Sequence, residues 1–247
     1  MYHSQILYYT IQPGDSVWQL AQRFHTTVQR IQELNPQINV NLLQAGRTIL
    51  IQPGSKSYGN KPYCISPAGL EIMNEMRKLW EQHSVWTRSA INSIVFSLPN
   101  EDLVIQRLLR NPDDFANALK PFYGSLNASK FGELLKEHLV IAAELVKAAK
   151  AGNNEKAADA EKRWYANADA IAAFLGRINP YWSEENWRTM MHEHLRLVKA
   201  EAVTLLQKDY KGNIDIYDEI EDQALMMADT LAIGIIRQFP SLFQHIF

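Results

Sequence analysis

The sequence predicts a small α+β unit in the order strand, helix, helix, strand, followed by an all-α bundle of degenerate helical hairpins, so the chain is mainly α. Three observations lead there. Two runs of strand formers, residues 6–11 and 47–51, bracket two short segments whose apolar residues recur at helical spacing. A stretch rich in Pro, Gly and Ser over 55–64 breaks that pattern. From 65 to 247 the spacing is helical almost throughout, with features that recur at intervals of 55 and 56 residues. The organisation read from this is a unit over 1–54, a linker over 55–64 and a helical domain over 65–247.

In the first unit, Ile6-Leu7-Tyr8-Tyr9-Thr10-Ile11 is the first strand and Gln12-Pro13-Gly14-Asp15 a turn. Asp15 or Ser16 can cap the helix that follows, since a short side-chain oxygen accepts from an unpaired amide of the first turn. Val17, Leu20, Ala21 and Phe24 form its buried stripe. Thr26 or Thr27 starts a second helix with Val28, Ile31 and Leu34 inward, stopped at Asn35-Pro36, and Arg47-Thr48-Ile49-Leu50-Ile51 is the closing strand. The two strands can pair in one antiparallel sheet with both helices on one face.

The order Tyr9-Thr10-Ile11, Gly14-Asp15-Ser16-Val17, Leu20-Ala21, Phe24, Asn35-Pro36-Gln37-Ile38, Leu43, Gly46 and Ile49-Ile51-Pro53 resembles the LysM family over residues 8–53. The resemblance implies a module that binds N-acetylglucosamine glycans, peptidoglycan or chitin, in a shallow groove. Carried over, one bank of the groove is Gly14, Asp15, Ser16 and Val17, and the other is Asn35, Pro36, Gln37 and Ile38. The chemistry agrees, because an acetamido group offers a donor, an acceptor and a methyl to backbone polar groups beside an apolar surface. The same residue types also serve as plain turn and cap residues, the competing reading for Asp15 and Asn35.

In the helical part, Ser66-Pro67 supplies a cap and a first-turn proline. Three seams follow, each with one histidine: His83, His138 and His194. Asp114, Asp169 and Asp229 lie 31, 31 and 35 residues after them, which suggests three hairpins, each with an imidazole bonded to a carboxylate. The sharper alternative is a divalent metal held by His83, His138, His194, Asp169, Asp229 or Glu201, as in a metal-binding bundle enzyme acting at the cell wall. Against it, the Glu-x-x-His spacing of di-iron bundles is missing at all three histidines. Tyr181-Trp182 are the aromatics expected to be exposed. Trp80-Glu81-Gln82-His83, Trp164-Tyr165-Ala166-Asn167-Ala168-Asp169, Asn179-Pro180-Tyr181-Trp182 and Gln238-Phe239-Pro240 resemble a helical domain of unknown function that accompanies LysM modules in spore-forming bacteria. That resemblance implies no activity.

Composition narrows the function classes. With 47% hydrophobic and 21% charged residues, the chain has the apolar content of a folded globular protein. A net charge of −2 gives no general pull toward nucleic acid or an anionic membrane. One cysteine, Cys64, rules out an intrachain disulfide framework and fits a reducing compartment. No apolar run approaches the roughly 20 residues of a bilayer-spanning helix, and residues 1–5 lack the cationic start of a secretion signal. No serine or cysteine sits in a recognisable nucleophile setting. The reading is therefore a non-catalytic glycan-binding protein without a cofactor, made in the cytoplasm and associated with the spore coat or cortex. Its helical domain would hold a protein partner or self-associate.

Overall fold

The computed structural model describes residues 6–12, 14–24, 26–38, 43–53 and 65–243. The predicted linker, Pro13 and Cys64 lie outside the described residues. The chain divides into two units, 1–64 and 65–247.

In the first unit β1 (Leu7–Thr10) pairs antiparallel with β2 (Thr48–Ile51), in the register Leu7 with Ile51 and Thr10 with Thr48. Between them lie α1 (Val17–Arg23) and α2 (Val28–Leu34). Ser16 caps α1 reciprocally: its Oγ accepts from the Gln19 amide at 3.2 Å, while the Gln19 side-chain oxygen accepts from the Ser16 amide at 3.0 Å. Thr27 caps α2 by accepting from the Arg30 amide. Ile11, Val17, Leu20, Ala21, Ile31, Ile38, Ile49 and Ile51 make one buried cluster beneath the sheet, the spacing of the helices matching the alternation of β2.

Asn35 is the hinge of this unit. It is 1% exposed, and its side-chain amide donates to the carbonyls of Ile31 and Leu50, both at 2.7 Å, while its Oδ1 accepts from the Leu50 amide at 2.8 Å. A carboxamide carries the same donor and acceptor pair as a peptide group, so Asn35 meets β2 as one residue of a further strand would.

The second unit contains α3 (Pro67–Phe96), α4 (Glu101–Leu108), α5 (Asn111–Lys150), α6 (Asn154–Ile178), α7 (Glu184–Leu206) and α8 (Tyr210–Gln238), then a 3-10 turn at Pro240–Leu242. Ser66 caps α3 and Pro67 opens it. α5 is two helices joined end to end: Pro121 removes a donor, and Gly124 adopts a φ of 72° inside the run. α3 packs on α8 and α5, α5 on α6, α6 on α7 and α7 on α8, which closes a ring. The pairs α3 with the first part of α5, the second part of α5 with α6, and α7 with α8 are the three hairpins.

Trp182 departs from the expectation for the exposed aromatics. Tyr181 is 53% exposed, but Trp182 is 2% exposed and donates its indole N–H to the Thr230 carbonyl at 3.2 Å. It lies so close to α8 that a Cβ on Gly234 would stand 1.8 Å from its ring nitrogen. A proline-led loop therefore delivers its aromatic inward as a wedge between helices, not outward to solvent.

Asn35→Ala is expected to cost about 1–3 kcal/mol, because it leaves the Leu50 amide and carbonyl without their partner. The loss would register as faster hydrogen exchange of the β2 amides, with the helical unit unchanged.

Candidate functional site

The two bends of the first unit are built by residues that divide their labour. Gly14 is exposed and takes a φ of 88°, which a residue with a Cβ rarely adopts. The Asp15 carboxylate accepts from the Tyr9 hydroxyl and the Gln12 amide, both at 2.7 Å, and meets Arg23 at 3.5 Å. Its side chain is 5% exposed. Burial first, and then its bond to the Asp15 carboxylate, hold the Tyr9 phenol above its ordinary value, against the pull of Arg23. Ser16 is committed to its cap, and Val17 is 1% exposed in the core. On the other bank Asn35 is buried as described and Ile38 is 7% exposed in the core, while Pro36 and Gln37 face solvent. Val17 and Ile38 enter the same buried cluster, which draws both bends onto one core. The surfaces they leave open are the backbone around Gly14 and the Pro36-Gln37 edge.

The second candidate lies inside the bundle, and its wiring differs from the sequence expectation. His83, His138 and His194 are 2%, 2% and 3% exposed. Their partners are carboxamides: His83 Nδ1 meets Asn111 Oδ1 at 3.2 Å, His138 Nδ1 meets Asn167 Oδ1 at 2.9 Å, and His194 Nδ1 meets Gln223 Oε1 at 3.0 Å. Each carboxamide also donates its NH2 to a carbonyl four residues before the histidine: Leu79 at 3.0 Å, Leu134 at 3.1 Å and Met190 at 2.9 Å. The network fixes the tautomer. With its NH2 spent on the carbonyl, the amide turns its oxygen to the ring, so Nδ1 carries the hydrogen and Nε2 the lone pair.

The aspartates expected beside these rings are elsewhere. Asp114 is in hydrogen-bond contact with Arg110 at 3.3 Å, Asp169 with His192 at 2.8 Å, and Asp229 with both arms of Arg77 at 2.7 Å. Glu201 is buried against Arg88 at 2.7 Å, and Arg88 also reaches Asn213 and stacks over Tyr217. Burial pushes the Glu201 carboxyl up to about 7, against the pull of Arg88. The physical reason is cost: a buried ring needs an acceptor, and a neutral carboxamide supplies one without taking an anion out of water. Among the described residues no three His, Cys, Asp or Glu side chains are grouped to hold a metal ion. The His83 and His194 rings lie 5.6 Å apart, both edged by Trp80, while His138 lies against Trp164 at 5.3 Å with its Nε2 unpartnered.

Burial keeps these rings neutral, with the charge of neighbouring histidines adding to the effect at His83 and His138. Their pKa values fall to about 3 for His83 and His138 and about 4 for His194. Well above pH 6.5, the ordinary value of an unfolded histidine, the folded and unfolded chains bind the same number of protons at these sites. Below it the unfolded chain binds up to three more, so stability falls as the pH drops and levels off only near the folded values. Between pH 6 and 4 the three rings together contribute a slope on the order of 4 kcal/mol per pH unit. Unfolding of the full chain by urea at successive pH values checks this, and His138→Phe, an aromatic that keeps the Trp164 contact, is expected to remove about one third of the slope.

Residues 9–52 match the LysM domain family. The chain is also 28% identical over 109 residues to a Bacillus licheniformis protein named putative L,D-transpeptidase YkuD, a stretch that takes in 43% of this chain and 64% of that one. The chain thus spans less than two thirds of that relative. No solved structure matches it. The strand–helix–helix–strand order, the two core-anchored bends and the family match coincide on the same residues, and residues 9–52 are a LysM domain.

Proposed function

We propose that the chain is a non-catalytic glycan-binding protein whose LysM domain holds an N-acetylglucosamine polymer, peptidoglycan or chitin-like, and whose helical unit is a structural or protein-binding head. The family match supports binding to a peptidoglycan-like glycan. The observation that carries the finer reading is the division of labour in the bends. Asp15, Ser16, Val17, Asn35 and Ile38 hold the loops in place by capping, hydrogen bonding and burial. Gly14, Pro36 and Gln37 are exposed on them.

A rigid pair of bends with exposed backbone suits an acetamido sugar, whose amide and methyl need one polar and one apolar neighbour at fixed spacing. Gly14 has open space where a Cβ would stand, so the chain there can be approached closely. A groove of this kind buries little area, so a single module binds weakly, and assembly through the helical unit would raise the effective affinity. The proposed site of action is the spore coat or cortex, a reading that the resemblance of the helical unit to domains of spore-forming bacteria supports.

Titrating the full chain with N-acetylglucosamine oligomers is expected to shift the amide resonances of Gly14, Ser16, Gln37 and Ile38, with Gln37→Ala weakening binding severalfold. Oligomers that move none of these amides would overturn the assignment. Cosedimentation with purified peptidoglycan that survives deletion of 1–54 would move glycan binding to the helical unit.

A further inference from the structure

The two parts of α5 are held apart by a single residue. From Asn111 to Lys150 the backbone is helical except at Gly124, whose φ of 72° and ψ of 169° fall in a region that essentially only glycine adopts. Gly124 is exposed, with open space where a Cβ would stand, so no neighbouring side chain locks the joint. Turning this one residue to helical angles would fuse the two parts into one rod of 40 residues, about 60 Å long.

A straight α5 carries its first part, with α3 and α4, away from α6, α7 and α8. The bonds between the two pieces can then be remade with a second copy: Arg77 with Asp229, Arg88 with Glu201 and Glu101 with Lys147, each at 2.7 Å, and Tyr123 with Gln238 at 2.9 Å. Each of them links a residue before the joint to one after it, so a pair of chains that exchange pieces loses none of them. Exchange of identical elements is a low-cost route to a dimer, and a short connection in an unusual conformation invites it. Leu126, two residues past the joint, is 85% exposed, the most of any large apolar side chain among the described residues. Two straightened helices would pass each other at their joints and cover it.

We propose that Gly124 is the hinge of an exchanged dimer, in which residues 65–123 of each copy dock on residues 125–247 of the other. This rests on the reading of the helical unit as a protein-binding head and names a second copy of the chain as its partner. Its test needs no glycan, so glycan binding by the LysM domain stands or falls separately.

The full chain, unfolded in urea and refolded at about 5 and about 500 μM, is expected to give monomer at the lower concentration and a species of twice the mass at the higher, read by size exclusion with light scattering. Gly124→Ala has room for its methyl but not the dihedral angles, and is expected to raise the dimer-to-monomer ratio roughly tenfold or more with helical content retained. Co-refolding equimolar Arg77→Asp and Asp229→Arg chains separates exchange from pairing of outer surfaces. Each variant alone sets like charges against each other, whereas an exchanged heterodimer restores both ion pairs, so heterodimer is expected to exceed either homodimer severalfold. A folded Gly124→Ala chain that stays monomeric overturns the proposal. So does an unaltered chain that gives no dimer at the higher concentration, or a variant mixture with no more heterodimer than chance, whatever the fate of Gly124→Ala.

Discussion

A neutral imidazole buried among hydrocarbon needs an acceptor for its ring N–H, and the bundle supplies one the same way three times. A carboxamide on the next helix accepts from Nδ1 and spends its own NH2 on the carbonyl one turn below the histidine. The link therefore ties the second helix to both a side chain and the backbone of the first, at two heights. Sliding one helix by a single residue would break both bonds in the interior, where each polar group left unpaired is costly. Apolar packing in the ring tolerates small shifts, but these links do not, so they set the register around which the rest of the unit is packed.

The LysM domain uses the same group for the same purpose. Asn35 joins the carbonyl at the end of α2 to both backbone groups of Leu50 in β2. A two-stranded sheet is marginal by itself, and the amide lengthens its hydrogen-bonded edge by one position. In both units, then, a side chain shaped like a peptide group carries a backbone-type pattern across a gap that no strand or helix spans. Neither contribution needs a charge.

Much of this architecture was legible in the residues. Strand formers, caps at Ser16, Thr27 and Ser66, and turn glycines carry local signals that tertiary structure did not override. The three-hairpin repeat was legible because histidine is rare and recurs at 55 and 56 residues. Its chemistry was not, since the partners read Asn, Asn and Gln, types that also fill any polar surface. The aspartates misled for a geometric reason: Asp169 is two positions beyond Asn167, which turns it about 200° around the helix and toward His192. In the LysM domain, Asp15 and Asn35 carry turn chemistry that a sequence cannot separate from ligand chemistry. The structure shows their polar atoms spent inside the domain.

The repeat is unequal, and its inequality accounts for an apolar cavity of about 240 Å³ beside α3, α5, α6 and α7. In the second and third hairpins the amide-bearing helix runs for 25 and 29 residues. In the first, the corresponding segment runs only from Asn111 to Gly124, where the chain turns straight into the next repeat. The upper part of α3 thus lacks the long hairpin partner that the other two repeats have, and the 8-residue α4 packs there, Val104 and Leu108 against Ala90 and Leu139. A short helix covers less of the seam than a long one. The cavity borders that corner, at Ile91, Ile94, Leu108 and Leu139, and alanines of α5 and α6 on its far side are too small to close it. Void in an otherwise close-packed bundle forfeits contacts along its whole lining, so the shortened repeat costs the fold stability.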